Sequence, residues 1–130
     1  MSVSTAADPS GRFQILTIVD VYSIQWRKAM DELLASPVFQ ATRAVLVDRR
    51  DSAPPTTVFV NHIVDFYGTH VKQLGAARVA IATCDAAGFG MARMTELKAD
   101  QLNPTLSIHA FHTYDKAVAW LTSPPVTEEP

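Results

Sequence analysis

Two runs, Ala44-Val45-Leu46-Val47 and Val79-Ala80-Ile81-Ala82, constrain the fold more than anything else in the chain. Neither alternates apolar with polar residues, so both faces of each strand must be covered, as in the centre of a parallel sheet. Each run is followed by a segment long enough to cross back as a helix. After the first, Phe59, Ile63, Phe66, Tyr67, Val71 and Leu74 form an apolar stripe at helical spacing. The predicted helix runs from Thr56 or Thr57 to Leu74 and is stopped by Gly75. After the second, a helix is expected over about Phe89 to Leu102, with Met91, Met94 and Leu97 inward and Arg93 and Glu96 outward. Strand, crossing helix and next strand make right-handed βαβ units.

The flanking segments complete the pattern. Asp8-Pro9-Ser10-Gly11 has the residue preferences of a type I turn. It joins a weak strand, Val3 to Ala6, to a strong one, Phe13 to Asp20, as an antiparallel hairpin at a sheet edge. Ser23 reads as the cap of a helix whose inner face is Trp26, Met30, Leu33 and Leu34, closed by Pro37. Leu106, Ile108 and Ala110 alternate with Ser107, His109 and Phe111, which predicts a strand with two unlike faces near an edge. Thr113 caps a last helix with Tyr114, Ala117, Val118 and Leu121 on one face. The expected order is β-β-α-β-α-β-α-β-α. This is an α/β class fold, a single domain with a mixed, mostly parallel five-stranded sheet, an N-terminal antiparallel hairpin and helices packed on the sheet.

Composition excludes several function classes. With 130 residues, 48% of them apolar and 18% charged, the chain can bury one core and is no disordered tail. A net charge of −2 with scattered basic residues gives no electrostatic case for nucleic acid. The single cysteine rules out an intrachain disulfide. No signal-like or membrane-spanning run is visible, so a cytoplasmic location is expected. Residues 1–122 are expected to form the domain, with 123–130 a flexible Pro- and Glu-rich tail.

Four stretches, AVLVDRRDS, ARVAIATCD, GFGMARM and FHTYDKAVAWL, carry a likeness to a known group. Over roughly Gly11 to Leu121 the chain resembles the SpoIIAA-like family of STAS-type domains, which includes anti-sigma-factor antagonists and is related to CRAL-TRIO lipid-binding folds. The resemblance implies a small regulatory or ligand-binding domain. In the antagonists of that family a phosphorylatable serine stands in an Asp-Ser-Ser-Gly segment at the start of the helix after the central strand. Here the stretch reads Asp51-Ser52-Ala53-Pro54-Pro55-Thr56. Asp51 and Ser52 match, which makes Ser52 the phosphorylation candidate; the second serine and the glycine are absent.

In parallel sheets ligands sit outside the carboxyl ends of the strands. The loop there offers Asp48, Arg49, Arg50, Asp51 and Ser52, and arginine forks suit an anionic ligand or a phosphoserine. A solvated charged loop explains the same residues without a ligand. Gly88, Phe89, Gly90 and Met91 open a helix where backbone N–H groups could approach a phosphate, although a tight strand-to-helix turn also accounts for both glycines. Cys84 has no sequence-local partner to activate it and reads as inert. His62, His70, His109 and His112 lack metal-ligand spacing. No catalytic residue, metal or cofactor is assigned.

The leading expectation is a non-enzymatic regulatory or protein-interaction domain, with a protein partner or a homodimer formed through a sheet edge or helix face. The alternative is a carrier of a small apolar, acyl or anionic ligand, with Phe59, Phe66, Phe89, Met91 and Met94 lining its pocket. A phospho-switched anti-sigma-factor antagonist is the third expectation.

Overall fold

The Asp8–Gly11 turn closes as its residues require: Gly11 N–H donates to the Asp8 carbonyl at 2.7 Å and Asp8 N–H to the Phe13 carbonyl at 2.9 Å. Gly11 takes a φ of 69°, which glycine adopts at no steric cost. The computed structural model describes residues 3–19 and 23–123, the side chains of residues 23 and 24 excepted. The turn joins β1 (Val3–Ala7) to β2 (Gln14–Ile18). Then come α1 (Ser23–Ala35), α2 (Pro37–Thr42), β3 (Ala44–Asp48), α3 (Thr57–Thr69), α4 (Val71–Leu74), β4 (Arg78–Ala82), α5 (Ala86–Leu102), β5 (Ser107–Phe111) and α6 (Tyr114–Thr122). The expected cap at Ser23, the expected strand end at Asp20 and the tail at 124–130 lie outside the described residues.

The five strands stand in sequence order, β1-β2-β3-β4-β5. The first pair is antiparallel; the other three are parallel, with Leu46 opposite Ala80 and Ile15 opposite Leu46. Strand order that advances in one direction with crossovers of one hand places every crossing helix on the same face. That face buries Leu16, Val45, Val47, Val79, Ile81 and Ile108 beneath Trp26, Leu33, Phe59 and Phe66. Trp26 meets Phe66 edge to face at 5.1 Å and Phe59 at 6.0 Å, the geometry aromatic rings prefer. The opposite face carries Phe13, Ala44, Leu46, Ala80 and Ala82 and is covered by Ala117 and Leu121 of α6.

Three details depart from the sequence reading. α1 does close ahead of Pro37, at Ala35, but an additional helix, α2, starts on that proline, where its missing N–H costs nothing, and Ser36 Oγ accepts from Phe39 N–H at 3.2 Å. The long helix is interrupted at His70, whose N–H donates to the Phe66 carbonyl, before α4 and Gly75, whose φ of 59° suits glycine. The last crossing helix begins at Ala86, capped by Asp85, and turns Ala92, Thr95 and Ala99 inward. Leu97, expected inside, is 58% exposed, and Met91 and Met94 are half-buried. Small residues win this face because α5 lies close on α3. A Cβ added at Gly68 would already stand 3.3 Å from the Leu102 side chain.

At the far edge of the sheet Glu96, expected to face solvent, folds back onto β5. Its Oε1 accepts from Ala110 N–H at 3.1 Å while Oε2 pairs with Arg93 at 2.8 Å. The carboxylate thereby occupies a backbone donor that an edge strand would otherwise leave open. No helix among the described residues is long and apolar enough to cross a membrane.

Candidate functional site: the rim at the end of the central strand

Alternation along β3 sends Val45 and Val47 to the helix-covered face, and Arg49 continues their parity. Its N–H still joins the sheet, donating to the Ala82 carbonyl at 3.0 Å. The side chain is therefore carried under the rim, where it is only 7% exposed. Nη2 donates to Ser52 Oγ and to the Ala53 carbonyl, each at 3.0 Å. Nη1 is buried and has no hydrogen-bond partner among the described residues. Burial pushes the guanidinium down to about 10, with no acidic group contributing, so it stays charged at neutral pH without a counter-ion among the described residues.

Arg50 has the opposite parity and the opposite fate. It holds Asp48 with two bonds of 2.9 Å and lies 4.1 Å over the Tyr114 ring on the α6 side. The Arg50 guanidinium lowers the Asp48 carboxyl below its usual range despite partial burial. Of the two arginines expected to bind an anion, this one is already paired inside the chain.

Ser52, half-buried, closes a turn through its N–H on the Arg49 carbonyl at 3.2 Å, while Asp51 is exposed at the tip. The loop continues through Pro54 and Pro55 to Thr56, whose Oγ1 accepts from Phe59 N–H at 3.1 Å and caps α3. Arg49, Ser52, Pro54, Pro55, Thr56 and Phe59 enclose a cleft of about 190 Å³. Beneath it, a cavity of about 20 Å³ is lined by Arg49, Tyr67 and Thr95 among apolar side chains that include Ile18, Trp26 and Ile81. That inner space suits one water. Burial raises the Tyr67 phenol well above its normal range.

The neighbouring loop is built differently. Gly88 N–H is taken by Asp85 Oδ1 at 2.7 Å, and a Cβ at Gly88 would press that oxygen at 3.0 Å. A carboxylate thus stands where the glycines would have let a phosphate approach. Phe89 stacks on His112 at 3.7 Å, Gly90 faces open space and Met91 is half-buried. Cys84 is exposed, with Sγ 3.9 Å from Asp85 Oδ2. The histidines are dispersed: His70 stacks on Phe66, His109 lies against Trp120, and His62 is exposed. Among the described residues no group of three His, Cys, Asp or Glu side chains could hold a metal.

The structure thus gathers Asp48 to Ser52 at one rim but divides them between two faces. The Gly88–Met91 segment belongs to a separate turn. The burial of Arg49 was the feature not foreseen, and the strand parity of Val45, Val47 and Arg49 is the signal that carried it.

No family model matches the chain, and no curated protein matches it. Among solved structures it is similar to an anti-sigma factor antagonist from Mycobacterium paratuberculosis, at 15% identity and a TM-score of 0.57. The match covers 94% of this chain and 96% of that one. At such low identity the likeness is one of fold. It agrees with the sequential sheet, the leading hairpin and the crossing helices described above: the chain has the SpoIIAA-like, STAS-type fold.

Proposed function

We propose that this chain is a cytoplasmic, non-enzymatic regulatory domain that docks a protein partner, or a second copy of itself, on the rim loop and the first turn of α3. The observation that carries the reading is Val58, 67% exposed at the start of α3, beside a loop whose Ser52 is held by a buried guanidinium. An apolar residue presented on the fixed first turn of a helix loses little freedom on association, which favours a docking surface. The solved relative is an anti-sigma factor antagonist, and an anti-sigma factor is the finer form of partner this reading carries.

The phospho-switch is supported by one specific contact. A phosphate on Ser52 would stand within reach of Arg49 and beside the positive end of α3, where its charge is favoured. The packing weighs against a lipid carrier. Phe59 and Phe66 are interlocked with Trp26, Phe89 is stacked at the rim, and the cavity lined by Trp26, Ile63 and Ile81 is water-sized.

A photo-crosslinking residue at Thr57 or Val58, compared with one at Lys116 on α6, tests the docking surface in cells. Crosslinks to one protein, or to a second copy, from Thr57 and Val58 only, with those from Thr57 lost when the same chain carries Val58→Arg, are the expected result. Equal labelling from Lys116, or none from either helix, would overturn it. Unchanged partner binding by Ser52→Asp and Ser52→Ala would remove the phospho-switch alone.

A further inference from the structure

A buried guanidinium without a carboxylate is an unfinished ion pair. Burying an unpaired charge is costly, and buried charges in folded proteins are ordinarily matched. Arg49 is 7% exposed, and its Nη1, which carries two N–H groups, meets no acceptor among the described residues. The neighbouring cation, Arg50, is satisfied by Asp48 and points to the other face, so the site presents a single positive charge. Arg49 also lines a cleft of about 190 Å³ walled by Pro54, Pro55 and Phe59, with Ser52 and Thr56 at its polar side. The first turn of α3 opens onto the same cleft and adds the partial positive charge of a helix start.

We propose that this cleft binds the carboxylate of a small organic monoacid, with Arg49 as its counter-ion and Pro54, Pro55 and Phe59 as its apolar wall. Charge selects the class. One guanidinium balances one negative charge, whereas a dianion would leave an excess charge beneath the rim. Shape agrees, since the planar fork matches a carboxylate through parallel N–H bonds. Volume limits the remainder, because the cleft is smaller than the ~300–1,000 Å³ of sites for drug-sized ligands. The two acceptors now on Nη2, Ser52 Oγ and the Ala53 carbonyl, are neutral, and a carboxylate makes the stronger bond. Occupancy therefore releases Ser52 from Arg49 and loosens the rim loop. The inference stands on Arg49 and the cleft and does not depend on the docking surface.

The test is a ¹H–¹⁵N NMR titration of the full chain with acetate, isobutyrate and benzoate, each set against its neutral amide, and with inorganic phosphate. Saturable shifts are expected at the amides from Ser52 to Phe59 and at Arg49 Nε with the acids but not the amides. Arg49→Gln should weaken acid binding about tenfold or more. Several results would overturn the proposal. They are equal shifts from acid and amide, acid shifts undiminished in Arg49→Gln, tighter binding of phosphate than of any monoacid, or no saturable shift, which leaves a buried water as the only occupant. Should Arg49→Gln fail to fold, the contrast between acid and amide in the unaltered chain decides.

Discussion

The two faces of the sheet are packed by different rules. On the crossover face, α1, α3 and α5 bring large aromatic rings that interlock with Leu16, Val45, Val47 and Ile81. On the other, α6 alone lies over Ala44, Ala80 and Ala82 and contributes Ala117 and Leu121. Three helices can share a broad surface filled by bulky side chains. One helix covers less, and beneath it the alanines Ala44, Ala80 and Ala82 leave room for α6 beside the larger Phe13 and Leu46. The same strands thus carry a volume-filling side and a close-approach side, and substitutions on the two should fail in opposite directions.

The largest effect is expected from truncation on the filled side. Phe66→Ala should cost about 3–5 kcal/mol, read as a lower urea midpoint, because the rings around it are locked in place and cannot close the void. On the close-approach side the damaging change is growth: Ala80→Leu should cost about 1–3 kcal/mol by lifting α6. If Ala80→Leu were neutral, the contrast between the faces would break.

Next come the matched helix starts, Thr56 for α3 and Thr113 for α6, whose hydroxyls accept from Phe59 N–H and Lys116 N–H. Thr56→Ala and Thr113→Ala should each cost about 1 kcal/mol in thermal or urea unfolding, since a cap is a local device indifferent to which face its helix covers.

Smaller still is the Asp48–Arg50 pair. The Asp48 carboxyl is lowered in the folded chain, chiefly by Arg50, so its contribution is present above the unfolded pKa, about 3.9. It is lost as pH falls through the folded value. Arg50 is half exposed, so about 0.2–1 kcal/mol is expected, seen as a shallower acid limb of stability in Asp48→Asn. Arg49→Met should leave stability unchanged or raise it, because it replaces an unmatched buried charge with an apolar chain.

The sheet was readable because its central strands have only one use. Val45, Leu46 and Val47 leave no face for water, and the turn at Asp8–Gly11 admits little but a hairpin. Helix phase was harder. On α5 the eye follows Met91, Met94 and Leu97, yet close approach to α3 rewards Ala92 and Ala99, a preference set by a neighbour distant in sequence. The α2 segment was hidden because proline reads as a stop until Ser36 is seen to cap it.

At the rim, the residues from Asp48 to Ser52 were found together because strand ends are where parallel sheets place them. Their division was not read, because two adjacent arginines look alike until strand parity assigns one to each face. Charge says solvent, whereas the register says interior, and for Arg49 the register prevailed.

A sheet whose strands sit side by side in the order they are made has a consequence for synthesis. Each pairing joins strands adjacent in sequence, so no early strand must wait for a late one to be inserted beside it. The nascent chain can zip outward from its hairpin, unit by unit, as it leaves the ribosome. Only α6, made after all five strands, seals the alanine-lined side. Until translation reaches Leu121, Leu46 and its neighbours lack that cover, and chaperones would meet the chain in this state.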